Sequence, residues 1–478
     1  MIKLKLNQRG TMLMVALLAT SIFLALMGGL ASVGVYQQKL YRQQTAKHQA
    51  LHVAEAGINY YRWLLAHDHE DFYDGTGVDP GPAGEPYGPY THTYTAPSSG
   101  IQGTYSLEIT PPITGSTIVG IKSTGWMNDY PNLKRTIDVR YGIPSFAIYN
   151  VAVNSNVRFG PDTEVFGPLH SNGGIRFDGV AHNIVTSGVN CYDDPDTAYS
   201  DACERPGVWT NEADESTVFL VGYNFPVPVI DFNSVTADLA QIKADAQADG
   251  MYLAYDNRGY RIHFNADGTF DVYDVNQLMP NGQICEESGC AWPSAWKNTS
   301  YDIQTEVLLS ANNPMPNNGL IFVEANAWVD GIVNGRVTVA SGRFPENPNN
   351  YTNITIVNDI VYNSNDGSDV LGLIAQRNVQ IGYYSEDDLE IHAAILAQHG
   401  KFHRPYYYYY EWTHSHNDRT TITVYGAMAM NERYGLHWCC PSSGYTTRNI
   451  NYDSNLIYGP PPSYPTTGEY AFISWEEE

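Results

Sequence analysis

At 478 residues the chain can hold two or three domains, or one elongated domain with an anchor, and it can bury a sizeable core. With 16% charged residues but 36 Tyr, 42 Gly and 27 Pro, the composition favours strands and tight turns over helices. The net charge of −25, from 26 Lys and Arg against 51 Asp and Glu, repels phosphate backbones and anionic lipid and argues against nucleic acid as a partner.

The first ten residues hold Lys3, Lys5 and Arg9 and no acid, and no charged residue follows from Thr11 to Gln38. The apolar run from Thr11 to about Tyr36 is long enough to cross a bilayer as a helix, at about 20 residues per span. The flanking cations place the N-terminus on the cytoplasmic side and residues 39–478 outside. Beyond the run, Ala46, Ala50, Val53, Ala54, Gly57, Tyr61 and Leu64 recur at three-to-four spacing and extend the same helix to residue 66, roughly 80 Å in all. The small residues Gly28–Ser32 would suit a secretory signal peptide, but cleavage there would cut inside an unbroken helical pattern.

This N-terminus resembles that of type IV pilins and pseudopilins, with a basic leader over 1–10, a cut between Gly10 and Thr11, and a retained helix over 11–66. "HVAEAGINYYRW" (His52–Trp63) is similar to the AEAG stretch of PilX-type minor pilins. The resemblance implies processing by a prepilin peptidase, single-pass insertion in the inner membrane, export of the bulk to the periplasm or cell surface, and packing against other pilin-like subunits. Two departures matter: Thr11 stands where major pilins have Phe or Met, and Val15 where they have Glu. In that family the Glu carboxylate pairs with a neighbour's amino terminus in an apolar filament core, which Val cannot do. The departure points to a minor or terminal subunit, with a plain single-pass surface adhesin as the simpler alternative.

Residues 67–145 begin with a Gly/Pro/Tyr-rich linker, Asp74–Gly100, whose turn residues oppose regular structure. Three alternating β-branched segments follow, Thr104–Thr110, Ser116–Trp126 and Lys134–Tyr141, and predict a small antiparallel sheet similar to that of PilX-like chains. From 146 to 430 the strands shorten to three to six residues separated by Gly and Asn. Such pieces suit the rungs of a parallel β-solenoid, with apolar residues stacked inside and Asn or Gly at the corners; a β-sandwich is the alternative. An interruption at about 190–312 holds a helix near Phe232–Gly250 and a hairpin over Tyr260–Val275 turning at Ala-Asp-Gly. Residues 431–478 read as a C-terminal tail. The expected class is therefore α+β, mainly β. The pattern over 146–436 also resembles a poorly characterised domain attached to pilin-like N-termini in bacterial cell-surface proteins, which implies no activity.

The six cysteines are candidate disulfide partners in an exported chain. Cys191 with Cys203 and Cys285 with Cys290 close short loops; Cys439 and Cys440 could bridge each other only with strain, so a distant pairing is equally open. Asp193-Asp194 and Asp387-Asp388 hint at a β-helix polysaccharide lyase or hydrolase, but adjacent strand residues face opposite ways, so neither doublet is a catalytic pair. His399, His403, His414 and His416 lack a third metal ligand fixed by spacing, and Asn363–Asp369 offers oxygen ligands without the calcium-loop spacing. No metal, cofactor or catalytic residue is assigned, and the chain is read as a non-enzyme. The run Tyr406, Tyr407, Tyr408, Tyr409, Tyr410 with Trp412 cannot point inward at every position, so it is the candidate binding surface for a glycan or protein.

Overall fold

The computed structural model describes residues 8–477 except 78–80, 83, 97–99, 101, 198–202, 233–237, 280–282, 286–296, 299–300, 409–415 and 439–441. The chain is α+β and mainly β, with one long N-terminal apolar helix, a small antiparallel sheet and a large set of parallel strands. It divides into two units: residues 1–113, 118–142 and 470–478 form the first, and 114–117 with 143–469 form the second.

In the first unit, helix α1 runs from Gln8 to His67 without a break. Its apolar half is exposed from Met12 to Leu40, and it is long and apolar enough to cross a membrane. Its C-terminal half buries Ala46, Ala50, Val53, Ala54, Ile58, Tyr61 and Leu65 against a sheet of strands β1 (Tyr87–Thr95), β2 (Gln102–Thr110), β3 (Ile118–Met127) and β4 (Tyr130–Gly142), completed by Ala471–Glu477. Strand β3 alternates buried and half-buried residues along its whole length, as a sheet with one covered face requires. Helix and sheet meet where side chains are missing. A Cβ on Gly125 would lie 2.4 Å from the Ala50 carbonyl oxygen and the Ala54 nitrogen, and one on Gly57 would lie 2.3 Å from Ser123 Oγ.

The second unit is a three-sided stack of parallel strands. On one side Met251–Leu253, Leu320–Val323, Arg336–Ser341 and Val370–Ala375 lie in register, followed by the ends of Asp388–Ala397 and Asp418–Met430, then Val151–Val153, Leu169–Ser171, Val185–Ser187 and Tyr223–Asn224. Along this column Ile321, Val339, Leu373, Ile395, Met428, Val151, Leu169 and Val185 stack inward, all at most 1% exposed. Their neighbours Phe322, Ala340, Ile374, Leu396, Ala429 and Ala152 are buried on the outer face in a second core that includes helix α2 (Leu239–Asp249). A second side stacks Gly259–Phe264, Asn326–Val333, Ile354–Tyr362, Val379–Ile381 and Phe402–His403. The third carries the start of Asp388–Ala397 onto that of Asp418–Met430, then Ser443–Tyr452, Thr163–Val165 and Val180–Ala181.

Asparagines tie the corners. The side-chain oxygens of Asn326, Asn353 and Asn378 accept the backbone N–H of Asn353, Asn378 and Lys401, each one rung on, at 2.9, 3.1 and 3.0 Å. Each bond satisfies an amide that the turn removes from the ladder. Parallel pairing excludes the β-sandwich. The 190–312 segment holds the helix and hairpin, and it also supplies rungs: Val208–Trp209 pairs with Ile175–Phe177, and Met251–Leu253 with Leu320–Val323. Residues 431–478 are not a tail. Ser443–Tyr452 is a rung that pairs in parallel with Asp418–Met430, and Ala471–Glu477 is an edge strand of the small sheet, antiparallel to β4.

Gly125→Val is expected to destabilise the full chain by about 1–3 kcal/mol through overpacking against α1. An unchanged thermal midpoint in detergent would contradict the close approach.

Candidate functional site

The tyrosine run enters the structure as the strand Tyr406–Tyr408, antiparallel to Gln283–Cys285, which pairs in turn with Lys297–Asn298. Tyr407 is 2% exposed. It packs with Ile284 and Tyr383, and its hydroxyl donates to the Ile381 carbonyl at 3.0 Å. It is therefore a structural residue, and the expectation that it belongs to a binding surface is corrected: strand alternation turns it inward against the second column. Tyr406 is half-buried, with its ring edge-on to Trp438 at 6.5 Å. Tyr408 lies in the strand, and Tyr409, Tyr410 and Trp412 lie outside the described residues.

Beneath Tyr407 sits Arg404, with no exposure. Its guanidinium donates to the carbonyls of Asn417 (2.8 Å), His416 (2.6 Å) and Tyr383 (3.2 Å) and lies 4.8 Å from the Tyr407 ring centre, with Tyr445 and Tyr383 at 5.9 and 6.0 Å. Carbonyl dipoles and ring faces thus replace a carboxylate partner. Burial pulls the guanidinium below the usual arginine range and pushes the Tyr407 phenol far up and that of Tyr445 up to about 12. The Asp302 carboxylate fixes the rim, accepting the backbone N–H of Tyr383 at 3.1 Å and of Tyr384 at 3.2 Å. Trp438 Nε1 donates to the Arg404 carbonyl at 2.8 Å. The outward rings of this belt are Tyr384, 43% exposed, and His416, edge-on at 4.9 Å. Such a surface can stack on a ring or an apolar group.

The other sequence candidates are placed as follows. Gly10 and Thr11 lie in the first turns of α1, whose helix runs through the expected cut. Cys191 and Cys203 form a disulfide, and Cys285 is disulfide-bonded and buried; Cys290, Cys439 and Cys440 lie outside the described residues. The Cys191–Cys203 loop is pinned by Trp209, whose ring lies between Arg205 at 4.3 Å and Arg176 at 4.9 Å and whose Nε1 donates to Tyr192 Oη at 3.0 Å. Asp387 accepts from Thr420 Oγ1 and faces Arg419, while Asp194 caps its own turn. In the loop with calcium-type oxygens, both Asp369 oxygens accept backbone N–H groups, from Gly335 at 2.6 Å and Ser364 at 2.7 Å, so this carboxylate closes the turn. Among the described residues no cluster of three His, Cys, Asp or Glu could hold a metal. The Arg404 box escaped the sequence reading because its members, 383, 404, 407 and 445, meet only through the rung register.

No known protein family matches the chain, and no curated protein matches it. Among solved structures, the chain is similar to the competence-associated pilin ComZ from Thermus thermophilus, with a TM-score of 0.29 and 13% identity over 91% of this chain and 98% of that one.

Arg404→Ala should destabilise the second unit by about 3 kcal/mol or more, because three buried carbonyls lose their donor. Urea unfolding of the full chain measures it; a change below about 1 kcal/mol would show that the box carries little stability.

Proposed function

We propose that the chain is a pilin-like, membrane-inserted subunit of a type IV filament or pseudopilus, a minor or terminal one, which acts by assembly and display and not by catalysis. The observation that carries this reading is the division of α1. Its C-terminal half is packed on its own sheet through small residues, while Met12–Tyr36 exposes an apolar surface that no described residue covers. A bilayer can cover that surface in the precursor, and the helices of neighbouring subunits can cover it after assembly. Val15, 65% exposed on this segment, supports a place where no acid is needed to meet a neighbour's amino terminus. The disulfides support an exported body. Of the acids that could suggest glycan hydrolysis, Asp194 caps a turn and Asp387 faces Arg419, which favours display over turnover.

In this reading a prepilin peptidase removes residues 1–10, and the solenoid-bearing region faces the periplasm or the cell surface. Mass spectrometry of the mature protein should find an N-terminus at Thr11. A start at Met1 would leave a plain anchor, and a start near Ser32 would make the segment a discarded signal peptide; either result contradicts the proposal.

A further inference from the structure

The charges of α1 stand apart from those of the rest of the chain. Six cations, Lys3, Lys5, Arg9, Lys39, Arg42 and Lys47, precede the first acid, Glu55, so the chain beyond residue 54 holds 20 cations against all 51 acids. Three of the six follow the apolar segment directly, inside the polar run QQKLYRQQTAKH (Gln37–His48). Lys39, Arg42 and Lys47 are exposed, and none of them forms an ion pair among the described residues. Tyr36 and Tyr41 between and beside them are 62% and 71% exposed. Tyr36, Lys39 and Arg42 are spaced by three and share one helix face. A shallow groove on α1 is lined by Ala31, Ser32 and Val35 toward its N-terminal end and by Tyr36 and Lys39 toward its C-terminal end. Ser32 Oγ donates to the Gly28 carbonyl at 2.8 Å, which uses up the polar atom in the lower lining. Ala46, the first residue that the sheet buries, comes about 10 Å after Lys39, so the collar from Tyr36 to Arg42 stands clear of the sheet.

We propose that this collar is a binding site for anionic phospholipid in the leaflet on the exported side, with the phosphate on Lys39 and Arg42 and an acyl chain in the groove past Val35, Ser32 and Ala31. The order of groups along the helix, apolar lining, then a phenol, then cations, is the order of acyl chain, glycerol and phosphate in one lipid. A guanidinium meets phosphate oxygens through paired hydrogen bonds, and tyrosines suit the level between tails and headgroups. The levels agree with a bilayer. Positions 9 and 39 of α1 are about 45 Å apart, the distance between the two headgroup layers, and the apolar stretch between them fills the hydrocarbon core. A zwitterionic lipid brings its own cation against the collar, so an anionic headgroup is preferred. Repulsion from the acids beyond residue 54 is screened over about 8 Å at physiological salt, whereas the collar touches the headgroups. The inference rests on the membrane insertion of α1 in the reading above, and not on cleavage or filament entry.

The test is lipid retention by the full chain in mixed micelles holding equal phosphatidylglycerol and phosphatidylcholine, read by native mass spectrometry. The wild type should retain phosphatidylglycerol about twentyfold over phosphatidylcholine, less as salt rises. Lys39→Gln and Arg42→Gln should each cut that preference about fivefold, and the double variant should show none. Lys47→Gln, about 12 Å further along α1, should leave it unchanged. All three positions are exposed, so an unchanged thermal midpoint shows that the variants are folded. Equal retention of the two lipids by the wild type, or a preference that the double variant keeps, overturns the assignment. So does displacement of the lipid by inorganic phosphate at the same concentration, because the collar would then be a plain anion site with no place for the acyl chain. A mature protein that starts at Met1 should still show the preference, so failure here is separable from failure of the filament reading.

Discussion

The contact that the first unit depends on is made by residues with almost no side chain. Gly57, Gly103 and Gly125 let the helix backbone and the sheet approach to a distance that any Cβ would block, and Ala46, Ala50 and Ala54 continue that seam along α1. A close seam buries much area for each residue and fixes the helix axial position, because the neighbouring side chains interlock around the gaps. With its lower half held in this way, the helix carries its upper half as a rigid apolar rod. Among the described residues that rod has no partner, and its need for one drives the functional reading.

The second unit answers a different constraint. Its strands, many of them only two or three residues long, cannot bury enough surface singly, and they succeed here by stacking like on like: aliphatic over aliphatic inside, asparagine to backbone at the corners. Sequence order is not stack order, since Val151–Val153 sits on the end of Asp418–Met430 and not beside the rung that starts at Met251. Rung lengths therefore vary, and no fixed repeat appears in the sequence. The arginines follow the same economy of partners. The buried Arg404 and Arg448 and the half-buried Arg336 each use backbone carbonyls as hydrogen-bond acceptors, so these three cations knit loops to rungs.

Much of this was legible from residue pattern alone. The helical stripe from Ala46 to Tyr61, the alternation in β3 and the short Gly/Asn-punctuated strands report local periodicity, which physics ties directly to one buried face. Features that depend on which distant segments become neighbours were not legible. Alternation can show that half of the tyrosine run turns inward, but not that Arg404 waits beneath Tyr407. Residues 443–452 and 471–477 were misread as tail for the same reason: an edge strand is recognised by its partner, and β4 lies more than 300 residues earlier.

The account rests on the apolar half of α1 being covered, in the assembled state, by other helices of the same kind. A photo-crosslinking residue at Leu24, 70% exposed at the middle of that segment, tests this in intact cells. The account predicts an adduct with another pilin-like chain, lost when filament assembly is blocked. Adducts confined to lipid, unchanged by that block, would contradict it and leave α1 as a membrane anchor alone.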